Sequence, residues 1–252
     1  MKVLIPMSGS DKSFQDAGYQ HCKSLIEING KALIQHIYEN LLSLKPDQFI
    51  FVIRKEDHAR HHLSDVLALM APGCRVIVAE GSTAGAACTA LLAVAELSDA
   101  EELVITNSDQ IIRRNLFPIL EDFRGRKLDA GTITFDSIHP RWSYVRVDDA
   151  GMVTEAAEKR PISRHATAGF YYFRRGMDFV SSAMSMIRKA AHVNHVYYVC
   201  PTFNEMILKQ ARVGIHAIGP AQYYSLASPQ DVQRYGELLA RREEGEHAYN
   251  AA

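Results

Sequence analysis

The chain has 252 residues, 47% of them hydrophobic and 23% charged, an ordinary globular composition that excludes disordered, collagen-like and coiled-coil chains. Lysine plus arginine total 28 against 29 aspartate plus glutamate, a formal charge of −1. No whole-molecule basic field exists to hold a polyanion, which argues against nucleic acid as the main partner. At about 150 residues per domain the length admits one large α/β domain or two modest ones.

Residues 3–6 read as a short buried strand, followed by a polar loop over residues 8–22 that is long for a strand-to-helix connection. Loops of that length in compact domains usually serve function. Leu33, Ile37 and Leu41, with Ile34, Tyr38 and Leu42 alongside, predict an amphipathic helix over residues 31–45, ended by Pro46 and Asp47. Strands over 48–53, 75–79 and 103–107 then alternate with helices over 56–70 and 84–97. Such alternation predicts a parallel sheet covered on both faces, with ligands beyond the carboxyl ends of its strands. The polar segments 7–22, 80–85 and 107–110 all fall at such ends and are expected to converge.

The second half differs. Short strands over 131–135, 144–147 and 153–157 surround the turn Asp148-Asp149-Ala150-Gly151, which predicts an antiparallel insertion. A strand over 167–173, helices over 177–191 and 203–210, and a strand over 213–218 follow. The final helix is expected to start with Ser228 as N-cap, Pro229 at its first position and Asp231 three residues after the cap, burying Val232, Tyr235, Leu238 and Leu239. No repeat or linker interrupts the chain, so one continuous domain over residues 1–252 is expected. None of Cys22, Cys74, Cys88 and Cys200 forms a C-x-x-C pair, and the longest apolar stretches fall short of a secretory core or a membrane span. These features predict free thiols in a reducing cytoplasm, with no membrane partner.

Asp109, at the end of a buried strand, fits either a helix cap or a ligand of a magnesium ion, which needs only one or two protein carboxylates. Lys23, just past the long loop, is a compact point charge for a phosphate. The stretch IPMSGSDKSFQDAGYQHCKSLIEINGKALIQHI, then Thr83-Ala84-Gly85-Ala86-Ala87, Asn107-Ser108-Asp109-Gln110, and Glu158-Lys159-Arg160-Pro161 with Thr167-Ala168-Gly169 after it, stand in that order along nearly the whole chain. This ordered set resembles the nucleotidyltransferases that make nucleotide-activated sugars and related phosphorylated small molecules.

The resemblance implies a Rossmann-like three-layer α/β/α domain with a mostly parallel mixed sheet and a small antiparallel insertion. It implies Mg2+-dependent transfer of a nucleoside monophosphate from a nucleoside triphosphate to a phosphorylated small molecule or sugar phosphate, with release of pyrophosphate. On this reading Lys23, Asp109 and Lys12 are catalytic, and Asp109 holds the metal. Met7, Ser8, Gly9, Ser10, Asp11 and Ser13 surround the triphosphate, while Thr83, Gly85, Ala86 and Ser108 complete the nucleotide site. Gln110, Glu158, Lys159, Thr167 and Gly169 face the acceptor. The segments HPRWSYVRVD and AEKRPISRHATAGFYYF are similar to a branch tied to bacterial capsule and surface-polysaccharide biosynthesis, which tilts the base toward cytidine. A homodimer is the assembly to test.

The departures from the family pattern are specific. Asp11 and Ser13, with Lys12 between them, stand where the family loop carries its second glycine and its arginine. Aspartate tolerates positive φ, so Asp11 is expected to keep the glycine's backbone. Lys12 is expected to stand in for the arginine, with Asp11 pairing with it or supplying a carboxylate lost at Ser225, where many sugar-specific members place a second metal-binding aspartate. Cys22 replaces the proline before the lysine. Two other classes compete: a non-catalytic nucleotide or nucleotide-sugar binder, and a glycosyltransferase of similar fold, disfavoured because Asn107-Ser108-Asp109 is not D-x-D. His58, His61 and His62 share one expected helix but lack a completing ligand at zinc spacing, and Trp142 is either a stacking platform or core.

Overall fold

The computed structural model describes residues 1–250, and side chains through residue 241. Its first strand, β1 (Lys2–Met7), is buried on both faces through Val3, Leu4 and Ile5, as a central parallel strand must be. A short helix α1 (Lys12–Asp16) interrupts the long loop that follows. Then come α2 (Leu33–Leu41), β2 (Gln48–Arg54), α3 (Lys55–His61), α4 (Leu63–Met70), β3 (Arg75–Ala79), α5 (Ala86–Leu91) and β4 (Leu103–Thr106). The second half comprises α6 (Phe117–Gly125), β5 (Ala130–Asp136), β6 (Ser143–Val147), β7 (Val153–Glu158), β8 (His165–Phe173), α7 (Gly176–Arg188), α8 (Thr202–Ile207), β9 (Val213–Ile218) and α9 (Pro229–Asn250).

These nine strands form one sheet, ordered β7-β6-β8-β4-β1-β2-β3, with β5 also on β8 and β9 on β5. Only β7 and β8 run against the rest. The antiparallel hairpin of β6 and β7 is continuous with the main sheet through β8. Alternate side chains of β1 feed the two faces: Val3 and Ile5 pack with α2, α4, α6 and α9, and Leu4 packs with α5, α7 and α8. The result is a three-layer α/β/α architecture with a mostly parallel mixed sheet.

Two expected helices are interrupted. The segment 56–70 breaks at His62, which takes φ 52°, because α4 buries Leu63 and Leu67 whereas α3 turns Asp57 inward. The segment 84–97 is regular only over α5, since Gly85 sits at φ 118° and residues 92–97 close in tight turns. Helix α6, unanticipated, carries Pro118 in its first turn and buries Ile119, Leu120 and Phe123. At the start of α9, Ser228 Oγ accepts from the Asp231 N–H at 3.2 Å and donates to Asp231 Oδ2 at 2.8 Å. Val232 and Tyr235 are buried beneath it, with Leu238 and Leu239 packed alongside. Among the described residues no helix is long and apolar enough to cross a membrane, and all four cysteines are free.

Candidate functional site

The order β3-β2-β1-β4 reverses direction between β1 and β4, and a crevice opens beyond the carboxyl ends of strands at such a switch point. Here it is a cleft of about 680 Å³, lined in part by Ser8, Gly9, Ser10 and Asp11 after β1, Arg54 at the end of β2 and Asp57 after it, Ser82, Thr83, Gly85 and Ala86 after β3, and Asn107, Ser108 and Asp109 after β4. The three polar segments therefore converge. Met7, Lys23, Glu158, Thr167 and Gly169 also line it.

At one end, hydroxyls tie the β1 loop to the β3 loop. Thr83 Oγ1 lies 2.6 Å from Thr89 Oγ1, which also contacts Ser8 Oγ and donates to the Gly85 carbonyl at 3.2 Å. Gly85 is pressed against the hairpin before α8: the Tyr197 N–H donates to the Ala84 carbonyl at 2.7 Å, and the Ala87 N–H to the Tyr197 carbonyl at 3.1 Å. A Cβ on Gly85 would meet the Tyr197 oxygen at 2.4 Å, at a φ of 118° that side chains rarely adopt. Gly85→Ala is therefore expected to cost at least about 1–3 kcal/mol and to lower Tm by several degrees in a thermal melt. A melt unchanged within a degree would contradict this packing.

In the middle of the cleft Lys23 Nζ donates to Asp109 Oδ2 at 3.0 Å. Burial alone would lower the Lys23 ammonium, but the Asp109 charge and hydrogen bond outweigh it and hold its pKa above the usual value. The Asp109 carbonyl accepts from the Leu226 N–H at 2.7 Å, which fixes the turn against the strand pairing of Ser225 with Gln110. Ser225 thus stands beside Asp109 in the cleft, and its hydroxyl reaches Asp231 Oδ2 at 3.3 Å.

Asp11 corrects an expectation. Its φ is −98°, so no left-handed backbone is needed there, and its partner is Arg54, with Nη2 to Oδ2 at 2.6 Å. Lys12 instead pairs with Asp16 at 2.8 Å on the exposed side of α1, because α1 turns its side chain away from the cleft. Ser13, on the same short helix, does not line the cleft either. The cation that enters the cleft beside the altered loop is Arg54, which also binds Asp57 through Nε at 2.7 Å and Nη2 at 2.8 Å.

The other end is aromatic, with Trp142, Tyr171, Tyr198 and Tyr223 in its wall. Trp142 packs edge-on against Phe135 and Tyr223, at 5.5 and 5.4 Å between centroids, and the Arg141 guanidinium lies 4.1 Å from its ring centre. The ring is thus both a wall of the cleft and part of the core. Glu158 is buried and bonded to Ser143 Oγ; burial pushes its carboxyl up, opposed by that hydrogen bond and by Lys159. Lys159 stands exposed at φ 53°, outside the lining residues, with its Nζ 5.3 Å from the ring centre of Tyr198, which does line the cleft. Gly169 takes φ 60° where β8 bulges, and a Cβ there would strike Gln110 Oε1 at 2.2 Å and Asn107 Nδ2 at 2.3 Å.

Gln110 is the second correction. It is buried behind the turn, where its Nε2 donates to Thr106 Oγ1 at 3.3 Å, so it supports Asn107-Ser108-Asp109 and does not reach the cleft. The antiparallel pairing of Gln110–Ile112 with Tyr223–Ser225 turns it inward. His58 reaches Ser64 Oγ at 2.7 Å and His61 packs on His21 at 5.8 Å. Among the described residues no group of three His, Cys, Asp or Glu is placed to hold a metal ion. Arg54, Asp57 and Thr89 are cleft residues that the sequence reading missed. For Arg54 a signal existed: it is the first charge after the apolar run of β2, at the carboxyl end of a parallel strand.

This fold, with a cleft of about 680 Å³ at the β1 and β4 ends and a lysine and an aspartate meeting inside it, defines an α/β protein of the nucleotide-handling class. The family model for Nucleotidyl transferase matches residues 8–211, and the chain belongs to that family. It is 23% identical over 181 residues to a UTP–glucose-1-phosphate uridylyltransferase of Haloferax volcanii, covering 69% of this chain and 72% of that one. The nucleoside-diphosphate-sugar pyrophosphorylase of Vibrio cholerae RC9 shares the fold with a TM-score of 0.82 at 22% identity, covering 93% of this chain and 99% of that one. A protein of Bacillus anthracis assigned as a glucose-1-phosphate thymidylyltransferase, crystallised with sucrose, gives 0.73 at 17% identity and 94% coverage of each chain.

Proposed function

We propose that the protein catalyses Mg2+-dependent transfer of a nucleoside monophosphate from a nucleoside triphosphate to a phosphorylated small molecule or sugar phosphate. A phosphate oxygen of the acceptor attacks the α-phosphorus, and the bond from that phosphorus to the oxygen bridging to the β-phosphate breaks. Pyrophosphate leaves with the electron pair. The observation that carries this reading is the contact of Lys23 with Asp109 at 3.0 Å inside a cleft whose ends differ in chemistry. The names of the relatives, which concern glucose 1-phosphate and nucleoside-diphosphate sugars, support a sugar phosphate as acceptor. Cytidine rests on the branch resemblance of the HPRWSYVRVD and AEKRPISRHATAGFYYF segments.

Lys23 supplies a compact positive charge to the α-phosphate as negative charge accumulates there. Ser8, Gly9 and Ser10 frame the triphosphate, and Thr83, Gly85 and Ala86 face the base. Glu158 accepts a hydrogen bond from the acceptor with the capacity Ser143 leaves unused, and Lys159 neutralises the acceptor phosphate at the rim. Asp109, with one carboxylate and room for phosphate and water oxygens, fits magnesium, an ion that typically needs one or two protein carboxylates. Bound there, it would offset charge on the triphosphate and the leaving pyrophosphate.

A second reading, a nucleotide binder without turnover, is favoured by Ser225, a hydroxyl beside Asp109 where a second carboxylate would otherwise stand. Thermal shift with each of the four triphosphates and magnesium, followed by pyrophosphate release against a panel of phosphorylated acceptors, separates the two. At a hundred times Kd the matching triphosphate is expected to add about 2.7 kcal/mol, or roughly 5–10 °C in Tm for a chain of this size. Stabilisation without pyrophosphate release from any acceptor selects the binder, and no stabilisation by any triphosphate rejects the transferase.

A further inference from the structure

We propose that Asp11 is a positioning residue for Lys23, holding the lysine backbone in place while Arg54 and Asp57 hold Asp11. The inference rests on the role given to Lys23 under the proposed function. A single oxygen, Asp11 Oδ2, accepts from the Lys23 backbone N–H at 3.1 Å and from Arg54 Nη2 at 2.6 Å. Arg54 is itself gripped by Asp57, through Nε to Oδ2 at 2.7 Å and Nη2 to Oδ1 at 2.8 Å. Both carboxylates are nearly inaccessible, at 7% and 5% side-chain exposure. Arg54 closes β2, a central parallel strand, and Asp57 lies in the first turn of α3. A chain of bonds therefore runs from the rigid sheet through Arg54 and Asp11 to the backbone of the residue whose ammonium meets Asp109.

The arrangement answers a problem of charge. A free carboxylate in a loop that surrounds a triphosphate would repel it, but a carboxylate facing a guanidinium at 2.6 Å spends its field on that partner. It also answers a problem of length, because between Met7 and Lys23 the chain has only the short helix α1 to order it. Such a loop requires side-chain bonds to place a catalytic group within about half an ångström. Neighbouring Cys22 reflects the same buried acids: burial first, then the Asp57 and Asp11 charges, push its thiol up to about 12. A protonated thiol beside Lys23 adds no competing charge or nucleophile.

The test compares Asp11→Gly with Asp11→Asn, since asparagine keeps an oxygen for the Lys23 N–H and glycine keeps none. Asp11→Gly is expected to speed hydrogen exchange of the Lys23 amide at least tenfold and to lower kcat at least tenfold. Asp11→Asn is expected to restore most of the amide protection and most of kcat. Wild-type exchange at Lys23 in Asp11→Gly overturns the proposal. So does an Asp11→Gly protein that binds triphosphate more tightly with undiminished kcat, the behaviour of a carboxylate that only repels. Should Asp11→Gly not fold, Asp57→Asn loosens the brace at its far end: faster exchange at Lys23 supports the proposal and unchanged exchange overturns it. Exchange is read without turnover, so a wild-type protein that releases no pyrophosphate would reject the proposed function and leave the brace to be decided on its own.

Discussion

Asp109→Ala is expected to lower magnesium-dependent turnover by at least about a thousandfold, close to 4 kcal/mol in activation free energy. Asp109 is the carboxylate of the turn after β4, at the switch point of the sheet, and its partner Lys23 stands 3.0 Å away. The side chain is 26% exposed, so its removal opens no core cavity. The turn is held by bonds that do not involve it, from the Leu226 N–H to the Asp109 carbonyl and from the Asn107 N–H to the Gly169 carbonyl. The remaining structural cost is a Lys23 ammonium without its partner. A partly solvated pair of this kind costs less than a fully buried one, so Tm falls by a few degrees at most. Steady-state pyrophosphate release and a melting curve on the same preparation check both halves. Turnover within tenfold of wild type would reject Asp109 as the proposed magnesium ligand, whatever the melt shows.

Lys23→Ala carries the second large effect. A compact cation aimed at developing phosphate charge contributes on the order of a hundred- to a thousandfold in rate, and here the charge is kept by Asp109 against the cost of burial. The variant is expected to lose that factor in kcat and to bind triphosphate more weakly. Lys23→Arg is not expected to rescue it, because a planar fork cannot replace a point charge where the side chain is 14% exposed and packed beside Asp109. Calorimetric titration with the triphosphate is the direct measurement, and equal affinity in wild type and Lys23→Ala would reject a role at the nucleotide. If the two residues act on the same phosphates, the double variant Lys23→Ala with Asp109→Ala falls little below the worse single one.

The altered loop changes meaning once its partners are known. A sequence with Asp11 and Ser13 in place of glycine and arginine reads as a damaged triphosphate loop, and Lys12 reads as its nearest repair. Helix α1 turns Lys12 outward to Asp16, and a guanidinium from the end of β2 comes in. Arg54 is 43 residues away from Asp11 in the chain. No local pattern could have paired them, because the pairing is made by the parallel register of β1 with β2, Met7 opposite Ile53. The same register places the end of β1 next to the end of β2, so whatever follows each strand meets in the cleft.

By itself the sequence determined what is periodic or punctuated. The apolar runs of β1 to β4 and the step-of-four pattern of α2 follow from which side chains must leave water. The Ser228 cap of α9 and the Asp148-to-Gly151 turn follow from local hydrogen bonds and backbone permission. From these came the alternating α/β order, and with the rule for parallel strand ends came the convergence of segments 7–22, 80–85 and 107–110. Tertiary structure alone decided the break at His62, the inward turn of Gln110, the clasp of Gly85 on Tyr197, and the exchange of Lys12 for Arg54. In each, a contact between residues distant in the chain outweighs a local preference of a kilocalorie or less. Local sequence carries the propensity, whereas the partner that overrides it is supplied by the sheet.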